Sequence, residues 1–389
     1  MMTLKIYALL SIAWLVAGTA LCADAPAAKP SVHVIHLPDN AFVPDVAIGA
    51  DGTMHMVYAL GDNAWYVRSA DNGATFTPPV AVNTSGQVEL RMGERGPKIA
   101  LGKDDAIHVV WLDRWAPGAK TQTRHARSID GGKTFSAPTQ LSTKNGMDGV
   151  TMAADPSGNV IAFWHAFDPP QKEVPEGHWI YLARSFDNGA TFAPAERLQL
   201  KGIKDLACSM CLMRARIGTD GKVYLAFRSA ENNIRDFYML KCDVRENAFR
   251  AIRVNDDNWH LESCPMCGPE FTLDVKGDGY CAFMSKHKVY WSVLPAGGSA
   301  FRLHVATPTN QDQEIYPTAV SNGKGDVLLL WQVGPMAVDK KATVHWAIYS
   351  SDGTFTGRTA QLGTTTSGTK PTAFADREGG FHIVTTAKP

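Results

Sequence analysis

The feature that most constrains the fold is an eight-residue motif that occurs three times along the chain. Its copies span residues 69–76, 128–135 and 185–192, and each reads Ser-x-Asp-x-Gly-x-Thr-Phe. The pattern predicts a tight turn between two β-strands, in which the Asp carboxylate accepts backbone N–H groups and the Gly adopts a positive φ. We expect the Phe ring to pack beneath the turn. One kind of turn at a regular interval indicates a repeat architecture rather than several unrelated domains.

A second repeat alternates with these turns. Each copy has an apolar β-segment, a turn that usually ends in Gly, and a second β-rich segment, and the copies begin near Pro44, Pro97, Val150, Met213, Pro269, Pro317 and Pro371. A period of roughly 50 to 60 residues suits a four-stranded propeller blade with long loops. The sequence therefore predicts an all-β propeller of seven four-stranded blades, with six blades as the alternative.

The last blade needs a strand from elsewhere in the chain. The seventh copy stops at Ala387 without the strands that would complete a blade, whereas residues 31–37 precede the first copy and resemble an outer strand. Placing that strand in the last blade closes the ring and removes open sheet edges. We therefore expect residues 31–389 to form a single propeller domain closed by its N-terminal strand.

The N-terminus has the order of a secretory signal. Lys5 is followed by an apolar stretch over residues 6–16 and by small residues at 17–20. The sequence predicts a signal peptide over residues 1–25 and a periplasmic or secreted product, and the apolar stretch is too short to span a membrane. Lys plus Arg and Asp plus Glu both number 38, without a run of like charge. This balance argues against nucleic acid as a partner.

The three motifs resemble the Asp boxes of sialidases and of the wider BNR-repeat proteins. A narrower resemblance lies in residues 223–228, 233–236 and 264–269, which are similar to exported bacterial sialidase-like proteins with Cys-rich loops that open two adjacent blades. The resemblance implies a sialidase-like propeller but says little about chemistry, because one fold hosts many functions. The leading hypothesis is a small-molecule or glycan ligand at the channel rim, bound with or without catalysis.

The resemblance also implies an alternative, an exo-α-sialidase-like glycosidase. Catalytic sialidases open the first blade with Arg-Ile-Pro, whereas this chain has Phe42-Val43-Pro44. Arginines bind carboxylates through two parallel hydrogen bonds, and the candidates for such a clamp are Arg95, Arg228 and Arg235. The candidates for the nucleophile pair are Glu314 and Tyr316. The competing interpretation is that these arginines pair with neighbouring acids and brace the loops; the acids are Glu94, Glu231 and Asp236.

Two Cys-x-x-Cys pairs immediately precede the fourth and fifth repeats. They are Cys208 with Cys211 and Cys264 with Cys267. Equivalent positions on adjacent blades lie close together, so the four thiols are expected to converge. In an exported protein they would form disulfides. Alternatively they bind copper or zinc, which accept thiolate ligands, with further donors from Met210, Met213, Met266 and His260. A redox-active pair is the third alternative. Cys242 and Cys281 are expected to be buried thiols.

Overall fold

The protein is all-β, and seven sheets form a closed seven-bladed propeller. The computed structural model describes residues 29–84, 86–89, 94–114, 121–142, 146–166, 178–201, 203, 206–208, 210–335, 340–366 and 369–387. The signal peptide predicted over residues 1–25 lies outside these ranges. The first strand of each blade contacts the first strands of the two neighbouring blades, and the seventh contacts the first. The prediction of seven blades is therefore confirmed.

The strands follow in chain order from blade to blade. Blade 1 contains Ala41–Ile48, Met54–Leu60, Asn63–Ser69 and Val80–Ala81, and blade 2 contains Lys98–Leu101, Ile107–Leu112, Thr123–Ser128 and Thr139–Gln140. Blade 3 contains Gly146–Ala154, Val160–Ala166, His178–Ser185 and Glu196–Arg197, and blade 4 contains Arg214–Ile217, Lys222–Arg228, Phe237–Asp243 and Phe249–Arg253. Blade 5 contains Glu270–Leu273, Gly279–Ser285, Lys288–Leu294 and Arg302–Ala306, and blade 6 contains Glu314–Ser321, Asp326–Val333, Lys341–Ser350 and Phe355–Thr366.

Short elements complete the architecture. Leu200–Lys201 pairs in parallel with Phe249–Arg253 of blade 4, and Leu206–Ala207 pairs with His178–Ser185 of blade 3. Two 3₁₀ turns cover Lys103–Asp105 and Glu231–Asn233. In the part of the chain that the structure describes, no helix combines the length and the apolar character required to cross a bilayer.

The N-terminal strand closes the ring. Val32–His36 pairs in parallel with Phe381–Thr385, which pairs in turn with Thr372–Ala375, so the last blade has three strands within the described residues rather than the predicted four. Ile35 and Leu37 pack with residues of blades 1 and 7 in one buried cluster. The N-terminal segment therefore covers an edge that would otherwise be open to other chains.

Burial follows position within a blade. The second strands Ile107–Leu112, Val160–Ala166 and Gly279–Ser285 are buried along their whole length. Both faces of these strands pack against adjacent blades, which explains their continuous apolar sequence in place of strict alternation. The outermost strand Phe355–Thr366 is largely exposed. The core is thus divided among the interfaces between blades.

The Asp-box turns lie at these interfaces. In the first copy Asp71 accepts hydrogen bonds from the backbone N–H and the hydroxyl of Thr75, at 2.8 and 2.6 Å, and the other two copies repeat this pattern. The predicted positive φ of the motif glycines is confirmed. The Phe rings of the second and third copies pack on Tyr66 and His125, but Phe76 of the first copy is 36% exposed. The expectation of a packed ring therefore holds for two copies of three.

Candidate functional site

The two cysteine loops lie on the face of the propeller where the chain enters the first strands. One loop leads into Arg214–Ile217 of blade 4, and the other leads into Glu270–Leu273 of blade 5. Within the first loop, the N–H of Cys211 donates to the carbonyl of Cys208 at 3.2 Å, which turns the chain tightly. A Cβ on Gly268 of the second loop would lie 2.3 Å from the carbonyl oxygen of Leu212. The two loops can therefore touch only because residue 268 is glycine.

Three of the four predicted thiols converge, and they are called the cysteine site below. The Sγ atom of Cys208 lies 3.0 Å from that of Cys264 and 3.4 Å from that of Cys211. The third side of the triangle, between Cys211 and Cys264, is 3.6 Å. Cys208 and Cys211 are each 1% exposed, and Cys264 is partly exposed. In the described ranges, these three residues are the group of His, Cys, Asp or Glu side chains placed to share a metal ion.

Cys267 does not join this group. Its sulfur accepts a hydrogen bond from the backbone N–H of Tyr316 at 3.3 Å, on the side of blade 6. Burial raises the pKa of its thiol to about 12. The expectation of four converging thiols is thus corrected to three, because the two residues between Cys264 and Cys267 turn the second sulfur away toward the next blade.

The pKa values of the three thiols at the cysteine site are shifted in opposite directions. Hydrogen bonds from Cys208 and Cys211 lower the pKa of Cys264 well below its usual range. Burial raises the pKa of Cys208 to about 12 and raises that of Cys211 well above its usual range. The backbone N–H of Met266 also donates to the Cys264 sulfur, at 3.4 Å. Cys264 is therefore the most readily deprotonated of the three thiols, and a soft cation can displace the thiol protons of the other two.

The expected disulfides are not formed in this structure. All six described cysteines are free thiols, and the shortest separation at the cysteine site, 3.0 Å, is longer than the S–S bond of about 2.05 Å. Cys242 and Cys281 are buried, as expected. Among the further sulfur donors proposed, Met213 instead packs in the core between blades 3 and 4.

Arg228 joins both cysteine loops. Its carbonyl accepts the N–H of Cys208 at 2.9 Å, and its guanidinium donates to the carbonyls of Cys267 and Met284 at 2.9 and 2.7 Å. The guanidinium also donates to the carbonyl of Arg235 and stacks on Phe237 with its carbon 4.1 Å from the ring centroid. With 1% of its surface exposed, the side chain holds backbone rather than facing solvent.

Glu94 joins the same loops from blade 2. Its Oε2 accepts backbone N–H groups from Gly268 at 2.8 Å and from Leu212 at 3.4 Å. Burial raises the pKa of this carboxyl. The sequence predicted Glu94 only as an ion-pair partner for a neighbouring arginine. Its role in joining two distant loops could not be predicted, because such contacts leave no pattern in the local sequence.

The other residues of the predicted clamp also contact protein groups. Arg95 forms an ion pair with Asp148, and Arg235 donates to the carbonyl of Leu261 at 2.9 Å. Glu314 is fully buried, where it accepts hydrogen bonds from Lys288 and from the backbone of Val289. Tyr316 is 1% exposed and has a φ of 52°. Two of the acids expected to pair with these arginines bind other groups: Glu94 accepts the backbone N–H groups of Gly268 and Leu212, and Asp236 pairs with Arg253 at 2.6 Å.

A second set of charged residues, which sequence reasoning missed, fills the propeller axis. Arg214 forms ion pairs with Asp45 and Glu270, and Lys370 reaches Glu270 at 3.3 Å. Lys98 lies near enough to Asp45 for their charges to interact. These residues are called the channel network: Asp45, Lys98, Arg214, Glu270 and Lys370. Four of the five directly follow the residue that opens a blade, namely Pro44, Pro97, Met213 and Pro269. This shared position in the repeat could have identified these four residues from the sequence.

Comparison with known proteins extends the description of the fold. The sequence matches no protein-family model and no curated protein. The α-L-arabinofuranosidase of Fusarium graminearum, in complex with an iminosugar inhibitor, is 12% identical with a TM-score of 0.55 over 83% of this chain and 98% of its own. An ulvan lyase is 11% identical with a TM-score of 0.52 over 93% and 95%. The Hadza microbial sialidase Hz136 is 14% identical with a TM-score of 0.49 over 85% and 73%. At these identities the shared property is the propeller fold.

Proposed function

We propose that this protein binds a soft metal ion, copper(I), at Cys208, Cys211 and Cys264, and that it does so outside the cytoplasm. The observation that carries the proposal is the convergence of three sulfurs, from two loops more than fifty residues apart, to separations of 3.0–3.6 Å. Three sulfur ligands about 2.3 Å from an ion in their plane lie ~4.0 Å from one another. The loops therefore need to move the three sulfurs apart by at most ~1 Å to hold an ion.

The number and burial of the ligands favour copper(I) over zinc. A structural zinc ion is almost always held by four protein ligands, and a catalytic one keeps an open position for water. The cysteine site offers three sulfurs within the described residues, and two of them are buried from solvent. Thiolates suit both copper(I) and zinc, so the number of ligands decides between them, and copper(I) is satisfied by fewer ligands than zinc. Metal bound in this way would also keep the thiols reduced in an oxidising compartment.

The test is metal stoichiometry with a matched cysteine control. The protein, expressed with residues 1–25 and recovered from the periplasm or medium, is loaded anaerobically with copper(I) and then desalted. We expect one copper ion per chain, three sulfur neighbours in X-ray absorption, and protection of three thiols from alkylation. Cys211→Ser should lose the copper. Cys242→Ser, which removes a thiol from blade 4 outside the cysteine site, should retain it. Oxidised thiols without stoichiometric metal would contradict the proposal and favour disulfides.

A second candidate function is glycan binding or glycoside hydrolysis on the face that carries the cysteine loops. It is favoured by the fold similarity to an α-L-arabinofuranosidase, with a TM-score of 0.55, and to an ulvan lyase, with a TM-score of 0.52. The glycosidase hypothesis predicts that fluorogenic sialosides or arabinofuranosides are hydrolysed, and that Tyr316→Phe, which removes the candidate nucleophile, loses turnover. No release above the buffer blank would exclude the enzyme, and glycan-array binding would then test the non-catalytic form.

A further inference from the structure

The propeller axis contains a cavity of about 600 Å³ that is separate from the cysteine site. Its walls are the later parts of the first strands, and its mouth is formed by the turns that follow them, around residues 49–50, 274–275, 322–323 and 376–377. The cysteine loops precede the first strands, so the cavity opens on the opposite face. Arg214 and Glu270 of the channel network line its inner end. A volume of this size is typical of small-ligand sites, which measure about 300–1,000 Å³.

The charges at the inner end do not balance. The cations are Lys98, Arg214, Arg216 and Lys370, and the acids are Asp45, Glu270 and Glu94. If all three acids are ionised, the group keeps one positive charge, because it has four cations. Buried charge that has no counter-ion is costly, so an anion in the cavity would stabilise this arrangement.

Arg216 is the most exposed of these four cations, and it lines the cavity. Its side chain retains 25% of its exposure, whereas those of Arg214 and Glu270 retain 5% and 7%. Its guanidinium donates to the carbonyl of Ala215 at 3.0 Å and lies 3.8 Å from Glu270, a longer contact than those that Arg214 makes. The guanidinium can therefore turn part of its planar fork toward a ligand, and such forks bind carboxylate or phosphate through two parallel hydrogen bonds.

A polar group on the wall supports the same ligand chemistry. The hydroxyl of Thr318, in the first strand of blade 6, is buried and lacks a hydrogen-bond partner among the described residues. Thr318 also lines the cavity. A buried hydroxyl without a partner destabilises the folded protein, and a hydrogen bond to a ligand oxygen would offset this cost. Much of the remaining wall is apolar, with Ile48, Leu101 and Phe374 among its side chains, so the ligand needs a carbon framework as well as its charge. Asp274, Asp376 and Arg377 lie at the mouth, which places the acids of the turns away from the Arg216 end of the cavity.

We propose that this cavity is a binding site for a small molecule, of about the size of a monosaccharide, that carries a carboxylate or phosphate group held by Arg216. The site is independent of the cysteine site in both position and chemistry. A carboxylate and a phosphate both match the geometry of a guanidinium. The experiment below therefore tests one ligand of each kind.

Isothermal titration calorimetry in chloride-free buffer tests the proposal, with sodium glucuronate, glucose 6-phosphate and glucose as probes. We expect at least one of the two anions to bind, and glucose to bind at least tenfold more weakly than that anion. Arg216→Gln should weaken the binding tenfold or more, and Thr318→Val several-fold. Arg377→Gln, which removes an exposed guanidinium at the mouth of the cavity, should change it less than twofold.

Three results would overturn the inference. They are the failure of both anions to bind, equal binding of glucose, or unchanged affinity in Arg216→Gln. A melting temperature of Arg216→Gln close to that of the unchanged protein would show that a loss of binding is not a loss of fold. This outcome is expected because Arg216 contacts Glu270 at 3.8 Å, whereas the shorter ion pairs to Asp45 and Glu270 are made by Arg214. Arg216→Lys is a second variant, which keeps the positive charge but lacks the planar guanidinium. Its affinity for the anion should lie between those of the unchanged protein and of Arg216→Gln.

Discussion

At the scale of single residues, the sequence pattern indicated reactive groups where the structure uses the same groups as braces. Arg228 was a candidate for binding a ligand carboxylate, yet its guanidinium binds the carbonyls of Cys267, Met284 and Arg235. Arginine recurs in both roles because five fixed donors suit a cluster of carbonyls as well as they suit a carboxylate. Sequence identifies the donor but not the acceptor, which comes from a distant loop.

Replacing Arg228 by lysine should therefore damage stability and metal binding together. An ammonium group keeps the charge but cannot reach three carbonyls at once, so buried acceptors lose their donors at about 1–3 kcal/mol each. We expect the free energy of unfolding in urea to fall by ~3 kcal/mol, and copper to dissociate more readily. Arg250→Lys, at an exposed position in the fourth strand of blade 4, is the control and should change stability by less than ~0.5 kcal/mol. Equal effects of the two substitutions would contradict a bracing role.

At the scale of elements, each Asp-box turn fastens its blade to the preceding one. A Cβ on Gly73, Gly132 or Gly189 would lie 2.3, 2.1 or 2.7 Å from the nearest atom of Ile35, Tyr66 or His108 respectively. Because each contact joins a blade to the one before it, the motif occurs once in each of blades 1, 2 and 3. The turn chemistry was readable from the sequence because it is local, whereas the contact with the preceding blade was not, since the partner differs in each copy.

The contact at Gly132 can be separated from its backbone conformation. Gly132 and Gly297 have φ values of 83° and 70°, but a Cβ on Gly297 meets nothing within 4 Å. Gly297→Ala should cost about 1 kcal/mol for the left-handed conformation alone. Gly132→Ala should cost this amount and a further ~1–3 kcal/mol for the clash with the Tyr66 ring. Chemical denaturation measures both. If the two variants lose the same stability, the turn does not fasten blade 2 to blade 1.

A pair of histidines beneath the third Asp-box turn should make stability depend on pH. The His108 and His125 rings stack 5.4 Å apart with their nitrogens 3.2 Å from each other, and both are buried. Burial lowers the pKa of His108 to about 4, from 6.5. The unfolded chain therefore binds more protons than the folded one between these values, and stability falls as the pH falls from 6.5 to 4.

The expected loss from His108 is on the order of 3 kcal/mol over this range. His108→Asn should flatten the pH dependence of the urea midpoint between pH 6.5 and 4, although it lowers stability at neutral pH. His36→Asn, at an exposed position of the N-terminal strand, should leave the slope as it is. A slope that is the same in His108→Asn and in the unchanged protein would show that other groups control the acid transition.

At the scale of the whole molecule, the sequence predicted the repeated blades but did not predict the channel network at the propeller axis. The seven blades could be predicted because the same pair of β-segments recurs along the chain. The closing strand could be predicted because the seventh copy is incomplete and the N-terminal strand belongs to no copy of its own. The channel network arises from single residues of five blades, and the cysteine site from loops that Arg228 and Glu94 hold together. A contact between residues far apart in the chain leaves no periodic signal, so these sites require coordinates.

Ring closure is the whole-molecule property that a single side chain can test. Ile35 is 7% exposed in the cluster between blades 7 and 1, whereas the next residue of the same strand, His36, is exposed. Ile35→Asp would place a carboxylate in that cluster without a partner, at a cost of several kcal/mol, and would release the strand from Phe381–Thr385. We expect a lower melting temperature, proteolytic cleavage near residue 37, and concentration-dependent association through the uncovered strand edge. His36→Asp puts the same charge one residue away on the solvent side and should behave like the unchanged protein. If Ile35→Asp stayed monomeric and resisted proteolysis as well as His36→Asp does, the ring would have to be held closed by the blade contacts alone.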